Sequence, residues 1–442
     1  MAAPGERTCQ RVATPVPVAR ASDPRVLPGV VEKRLHPRGT LNTPGGVAVV
    51  SLKPGHVQPV WAGHPWVYAQ AVQRVAGGAT AGDEVEVVDA QGNLLGRGLY
   101  SPGSAIAVRM YTRDRATHID GALFERRIAE AVARRESLGL PSPDTDAYRV
   151  VHAEGDDLPG LIVDRYADVL VVQAATIGIK RREEMILESL AAKLRPRAII
   201  DRTSERAAKV EGFEPGRGVV RGDEKVSELG FVERGLRFRI PLELGQKTGF
   251  YVDQRPLRER VEALAKGRRV LDTFTYVGAI AMAAARGGAR EVHAVDASAL
   301  ALEVAAACAR DNGLGDRIRH ERADAHDVLA LAGRQGGYDL VVCDPPKLAP
   351  TRAAKKRALA SMRRLAAAGA RATRPGGLLV LCSCSAAIGL DELTRAAALG
   401  ARDVGLRPTV LERWFQGADH PVPAAFPEGL YLSSLILEVQ TL

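Results

Sequence analysis

The sequence predicts an α/β protein: its C-terminal part is a doubly wound, mainly parallel sheet covered by helices, preceded by a small β-barrel-like module and a central α+β unit. Three observations predict this. After Leu244, strand-length apolar runs alternate regularly with helix-length segments, the pattern of parallel strands joined by crossover helices. Between Val47 and Tyr111 the chain instead carries short β-segments punctuated by turns. With 442 residues, it is also too long for one ordinary domain.

Residues 1–46 hold Pro4, Pro15, Pro17, Pro24, Pro28, Pro37 and Pro44 among scattered arginines. Such a segment cannot bury enough apolar surface to order itself, and a disordered extension is expected. Its arginines are available to a polyanion, although an extension without a partner is the simpler reading. The module over 47–120 has strands at Val47–Leu52, Val85–Val88, Leu94–Leu99 and Ile106–Tyr111, with Ala90-Gln91-Gly92-Asn93 as a hairpin turn. Its distinctive cluster is Gly63-His64-Pro65-Trp66-Val67-Tyr68.

The central unit, 121–240, opens with a helix over Asp120–Leu138, where Leu123, Ile128 and Val132 recur at helical spacing. Strands follow at Tyr148–His152, Gly160–Tyr166 and Val169–Gln173, then a helix at Arg181–Leu194 and a strand at Ala198–Asp201. In the last domain, 241–442, strands at Arg269–Phe274, Glu291–Val295, Leu340–Cys343 and Leu378–Cys382 alternate with helices at Ala279–Ala285, Ala299–Asn312 and a long segment before Leu378.

Composition excludes several classes. No apolar run approaches the ~20 residues that cross a bilayer, and no secretory signal pattern opens the chain. A cytoplasmic protein with five reduced cysteines is expected. Cys382 and Cys384 lack zinc-site spacing and have no histidine pair after them, so no metal is expected. The net charge of +9 favours a polyanionic partner, though a basic solvated surface is a common alternative.

Ligands of open α/β sheets bind at the carboxyl ends of the strands, so four loops matter. Asp272-Thr273-Phe274-Thr275-Tyr276-Val277-Gly278 is a strand-to-helix turn with a glycine but without G-x-G-x-x-G, which suits a cofactor smaller than a dinucleotide. Asp296 follows Gly278 by 18 residues, near the spacing of a ribose-binding carboxylate. Asp324 ends the next strand-like segment and is a candidate for an adenine amino group. Either acid is alternatively a helix N-cap. Asp344-Pro345-Pro346-Lys347 is a rigid loop with exposed carbonyls and one carboxylate, fit to hold a flipped base. Beyond these four, Cys384 stands in a strand-to-helix loop, where helix N–H groups favour a thiolate. A thiolate is what cytosine C5 chemistry needs: addition at C6 makes C5 nucleophilic enough to accept a methyl group. Cys382 and Cys343 are expected to be structural.

These residues resemble the bacterial ribosomal RNA cytosine-5 methyltransferase family. The resemblance runs from about Ser51 to Gln440 and is specific in Gly245-Gln246-Lys247-Thr248-Gly249-Phe250-Tyr251-Val252-Asp253-Gln254-Arg255, Asp344-Pro345-Pro346-Lys347, Ser383-Cys384-Ser385, Ala418-Asp419-His420-Pro421-Val422 and Pro427-Glu428-Gly429-Leu430-Tyr431-Leu432. It implies a PUA RNA-binding domain, a central α+β domain and a Rossmann-like class I methyltransferase domain that uses S-adenosylmethionine (SAM) on 23S ribosomal RNA. It implies Cys384 as nucleophile with Asp344 beside it, and a cofactor site from Asp272, Phe274, Tyr276, Gly278, Asp296, Asp324 and Asp344; Gln254 or Arg255 is expected to close the methionine end. His64, Trp66, Pro345, Pro346 and Lys347 are the expected RNA contacts. The oligomeric state is open, a homodimer among the options.

Two departures stand out. Val277 replaces the family's usual threonine, and Ser361-Met362-Arg363-Arg364-Leu365-Ala366 replaces a Gly-Tyr-Lys motif and a following asparagine. The competing readings are methylation of another nucleotide or of an exocyclic amine, and an RNA-binding ribosome assembly factor without turnover.

Overall fold

The computed structural model describes residues 46–244, 249–347, 355–385 and 388–442. The N-terminal extension and the Gly245-Gln246-Lys247-Thr248 part of the first motif lie outside these. The first sheet holds β1 (Ala48–Leu52), β2 (Trp66–Tyr68), β3 (Val72–Ala76), β4 (Glu84–Val88), β5 (Leu94–Tyr100) and β6 (Ile106–Thr112), in the order β2-β6-β5-β4-β1-β3. A short helix, α1 (Gln58–Trp61), follows β1. Val50, Leu52, Val67, Val85, Val87 and Val108 fill the core. β2 escapes sequence patterning because, between Pro65 and the 3-10 turn at Ala69–Ala71, it has only three residues, and β3 because Val72-Gln73-Arg74-Val75-Ala76 does not alternate.

Helix α2 (Gly121–Ser137) is started by Asp120, whose carboxylate accepts from the Leu123 N–H at 3.0 Å. It packs on a five-stranded sheet of β7 (Ala147–His152), β8 (Leu161–Tyr166), β9 (Val169–Ala174), β10 (Ala198–Asp201) and β11 (Gly218–Gly222), ordered β11-β10-β9-β8-β7. Helices α3 (Ile177–Lys180), α4 (Glu183–Leu194) and α5 (Glu205–Glu211) complete this unit. A hairpin not foreseen in the sequence, β12 (Glu228–Glu233) with β13 (Leu236–Pro241), then turns Phe231, Phe238 and Ile240 into the core of the next domain.

That domain runs α6 (Arg255–Leu264), β14 (Arg269–Thr273), α7 (Ala279–Arg286), β15 (Glu291–Asp296), α8 (Ala299–Asp311), β16 (Ile318–Arg322), α9 (Ala325–Arg334), β17 (Tyr338–Cys343), α10 (Lys355–Ala372), β18 (Thr373–Ser383), α11 (Leu390–Arg402), β19 (Leu406–Trp414) and β20 (Ser433–Thr441). The sheet order is β16-β15-β14-β17-β18-β20-β19. The first five strands are parallel; β20 is antiparallel to β18 and β19. The order reverses between β14 and β17, where a crevice opens at the strands' carboxyl ends.

Side chains alternate across a strand, and this sheet is covered on both faces, so each central strand feeds two cores in turn. Val270, Leu340, Val342, Leu378, Val380 and Cys382 enter one core. Leu271, Val341, Cys343, Leu379 and Leu381 enter the other. Each such Val or Leu contributes about 1.5–3 kcal/mol. Helix α7 is built of small residues because Ala279 to Ala285 are all buried.

Candidate active site

The alternation that fills the cores also builds the site. Val270, Ala294, Val342 and Cys382 all face the same core. The residue two positions on from each is Asp272, Asp296, Asp344 and Cys384. With a period of two, all four project to one side of the sheet, at or just beyond the tips of four parallel strands. All four line a single cavity of about 460 Å³, together with Gln254, Phe274, Tyr276, Pro345, Pro346 and Lys347.

The loop between β14 and α7 is held in a costly conformation. Phe274 (φ 61°), Tyr276 (φ 53°) and Gly278 (φ 74°) are all left-handed, at about 1–3 kcal/mol for each of the two that carry a Cβ. Gly278 is required: a Cβ there would lie 3.0 Å from the Ala305 methyl. The fold holds the loop from several sides. Asp296 accepts from the Tyr276 N–H at 2.9 Å and from the Ser298 N–H at 2.9 Å. The Tyr276 hydroxyl donates to the Gly249 carbonyl at 2.9 Å. Asp296 thus ties two loops together, and its carboxylate still has lone pairs for a ligand.

Electrostatically the cavity is rich in acceptors. Thr275 donates to Asp272 Oδ2 at 2.5 Å, and Gln254 donates to Asp344 Oδ2 at 2.7 Å. Asp272 Oδ1 and Asp253 Oδ1 are buried with no hydrogen-bond partner among the described residues. Burial, opposed by the Thr275 hydroxyl and assisted by the nearby Asp344 and Asp296, pushes the Asp272 carboxyl up to about 7. Two orphaned acceptors and a desolvated acid call for a ligand with cationic and hydrogen-bond-donating groups. A nucleoside carrying an amino acid and a positive charge fits that donor set.

The three described cysteines around the catalytic loop differ sharply. Cys343 and Cys382 are fully buried. Burial pushes the Cys343 thiol up to about 12 and raises Cys382 well above the ordinary range, with Asp344 adding to both. Cys384 is half-buried and opens into the cavity. Beside it lies Tyr251, whose hydroxyl is held protonated by burial and by the proximity of Tyr276, Asp344 and Cys384.

Several expected site residues lie elsewhere. Asp324 is exposed and outside the cavity lining; it caps α9, accepting from the His326 N–H at 2.8 Å. Arg255 is also outside, because it begins α6 and successive helical residues turn by about 100°. With Gln254 facing in, Arg255 faces the Asp419 carboxylate at 3.0 Å and the Ala147 carbonyl at 3.0 Å. His64 and Trp66 are turned inward as well. His64 Nε2 meets Glu428 at 3.3 Å, the Trp66 indole N–H donates to Glu154 at 2.7 Å, and the Trp66 ring packs on Phe426 with centroids 4.6 Å apart. They join the first module to the end of the chain. The sequence did not single out Tyr251 and Asp253, which also line the cavity. Both stand inside the quoted Gly245–Arg255 motif, which was the available signal.

The two departures are accommodated. Val277 packs into the core and also lines the cavity, so the hydroxyl it lacks is one at the site itself. Ser361–Ala366 lies within α10, with Met362, Leu365 and Ala366 buried in the opposite core and none of the six lining the cavity.

Comparison with known proteins gives the chain's family and fold. Residues 50–113 match the PUA-like domain family, and residues 219–415 match the S-adenosylmethionine-dependent methyltransferase family. The chain is 37% identical over 393 residues to ribosomal RNA large subunit methyltransferase I of Shewanella denitrificans, covering 88% of this chain and 99% of that one. It is 36% identical over 394 residues to the protein of the same name from Alteromonas mediterranea, covering 89% and 99%. Among solved structures, a protein described as a methyltransferase in complex with SAH superposes with a TM-score of 0.77 at 18% identity, over 88% of this chain and 99% of that one. A protein from Streptococcus mutans described as SAM-dependent gives 0.76 at 18% identity with the same coverage. The two structures show a shared fold. Among the described residues no helix is long and apolar enough to cross a membrane, and no cluster of metal-ligating side chains occurs.

Proposed function

The chain belongs to the ribosomal RNA large subunit methyltransferase I family, and from that premise we propose that it methylates C5 of a cytosine in large-subunit (23S) ribosomal RNA through a covalent Cys384 adduct. The observation that carries the proposal is the convergence of Asp272, Asp296, Asp344 and Cys384 on one cavity. When bound, SAM supplies an electrophilic methyl group. Asp296 and the strained 274–278 loop hold its nucleoside part, and Asp272 and Gln254 hold its cationic end. The Asp344-Pro345-Pro346-Lys347 loop holds the target base, with the Asp344 carboxylate at the polar edge of the ring. Cys384 would add to C6 as thiolate, and C5, made nucleophilic, would take the methyl group as the sulfonium S–CH3 bond breaks and S-adenosylhomocysteine leaves with that electron pair. Transfer of the C5 proton to water would then return the electron pair that expels the thiolate, so the Cys384 sulfur ends as it began.

Incubating the protein with SAM and ribosomal RNA, followed by nucleoside mass spectrometry, should yield 5-methylcytidine. Methylation of an exocyclic nitrogen instead would sink the proposal.

The raised Asp272 carboxyl adds a pH signature. A cationic ligand binds the ionised form better, so cofactor affinity should climb as the pH approaches 7 from below. Calorimetry on Asp272→Asn should show weaker binding and no such climb. A wild-type profile flat over that range would remove Asp272 from the site.

A further inference from the structure

The first module carries one large apolar side chain that its own fold does not use. Trp61, at the end of α1, is 77% exposed, the highest value among the large hydrophobic residues of the described structure. The chain segment that carries it is basic. From Gly46 to Gly82 the sequence contains no aspartate or glutamate. Lys53, His56 and Arg74 are exposed in that stretch. Arg113 reaches the same loop, donating to the His64 carbonyl at 3.2 Å. Glu428 and Glu154, carboxylates that meet this stretch, are engaged by His64 and Trp66. An exposed flat aromatic face on a segment that itself carries cations and no acid is what a single-stranded nucleic acid requires: bases stack on the ring while phosphates meet the cations.

Its position points the same way. Two residues beyond Trp61, Gly63 packs against Ala425. From there the chain runs directly to Leu432, which lines the catalytic cavity, past Tyr431, which donates to Asp253 at 2.6 Å. Seven residues span at most about 25 Å. A strand whose target base occupied the cavity would need only a few nucleotides to reach Trp61.

We propose that Trp61 is a stacking platform for an unpaired base of the RNA, a few nucleotides from the methylated cytosine, with Lys53 and Arg74 on its phosphates. This rests on the reading of the chain as an RNA methyltransferase.

The test uses the full-length protein and an unstructured RNA oligonucleotide, titrated by anisotropy over a range of salt. Trp61→Ala should weaken binding by roughly 5- to 150-fold, the loss expected from one stacked base. Trp61→Phe should recover most of it. Stacking releases no counterions, so the salt slope of Trp61→Ala should match wild type, whereas Arg74→Gln should lower the slope by about one. SAM binding should be unchanged in all three variants. If wild type binds RNA and methylates it while Trp61→Ala binds equally well, this inference fails alone; if wild type neither binds nor methylates RNA, the functional reading fails with it. A dimeric wild type that becomes monomeric in Trp61→Ala during sedimentation would overturn the proposal, because the ring would then serve a second copy of the chain.

Discussion

Cys384→Ala should lose methyl transfer by on the order of 10⁴- to 10⁶-fold, the scale seen when a covalent nucleophile is removed, and should still bind SAM. The expectation follows from position. Cys384 is the only cysteine of the described residues that lines the cavity. Cys343 and Cys382 are fully buried, and burial holds their thiols protonated. Cys343→Ala and Cys382→Ala should therefore cost core packing and stability but keep turnover. Single-turnover kinetics with labelled SAM separate these outcomes. Normal rates in Cys384→Ala, or an inactive and stably folded Cys382→Ala, would move the nucleophile elsewhere.

Asp156→Ala should destabilise the protein by about 3–5 kcal/mol, because it strands a fully buried arginine. Arg135 is 0% exposed. It donates to both Asp156 oxygens, at 2.5 and 2.8 Å, to the Arg149 carbonyl at 2.8 Å and to the Asp419 carbonyl at 2.7 Å. Asp419 in turn accepts from the Arg149 N–H at 3.0 Å and pairs with Arg255. The network fastens the C-terminal segment that bears Tyr431 and Leu432 to the central sheet, so cofactor binding should also weaken. Urea denaturation measures the loss, and a change below about 0.5 kcal/mol would show that the network adds no stability.

The same network sets a direction with pH. Burial and Arg149 hold His152 well below its ordinary 6.5, and His420 and Arg255 hold Asp419 far below its ordinary 3.8 despite burial. Both groups bind more protons unfolded than folded. Their contribution is complete above 6.5 and drains away as the pH falls.

The methyltransferase fold was legible in the sequence because its central strands are buried on both faces, so their apolar runs are continuous, as in Leu340–Cys343 and Leu378–Cys382. Edge strands do not read that way. β19 interrupts its apolar residues with Arg407, Pro408 and the adjacent Glu412-Arg413, and β16 is largely charged. The β12–β13 hairpin was missed although Leu236, Phe238 and Ile240 alternate with Arg237 and Arg239 at a strand's period of two and Arg234-Gly235 marks its turn.

At the site, strand-tip acids and the thiol could be read because each ends an apolar run. What could not be read was direction. Gln254 and Arg255 are adjacent, and only the start of a helix decides that one faces the cavity and the other the Asp419 network. Asp324 has the residue type of a ligand and the position of a cap, and the backbone of α9 takes it. The Trp66 indole has the chemistry of an RNA contact, but its N–H is taken by Glu154, and Phe426, 360 residues away in sequence, packs edge-on against its ring.

The most direct test of covalent catalysis by Cys384 is trapping. Substrate RNA with 5-fluorocytosine at the target position should react as far as methyl transfer and stop, since fluorine cannot leave C5 as a proton does. Denaturing electrophoresis should show a stable protein–RNA adduct that requires SAM, mass spectrometry should place it on the peptide containing Cys384, and Cys384→Ala should form none. A wild-type enzyme that converts the native RNA to 5-methylcytidine yet leaves the fluorinated RNA unattached, or an adduct that persists in Cys384→Ala, would contradict the account.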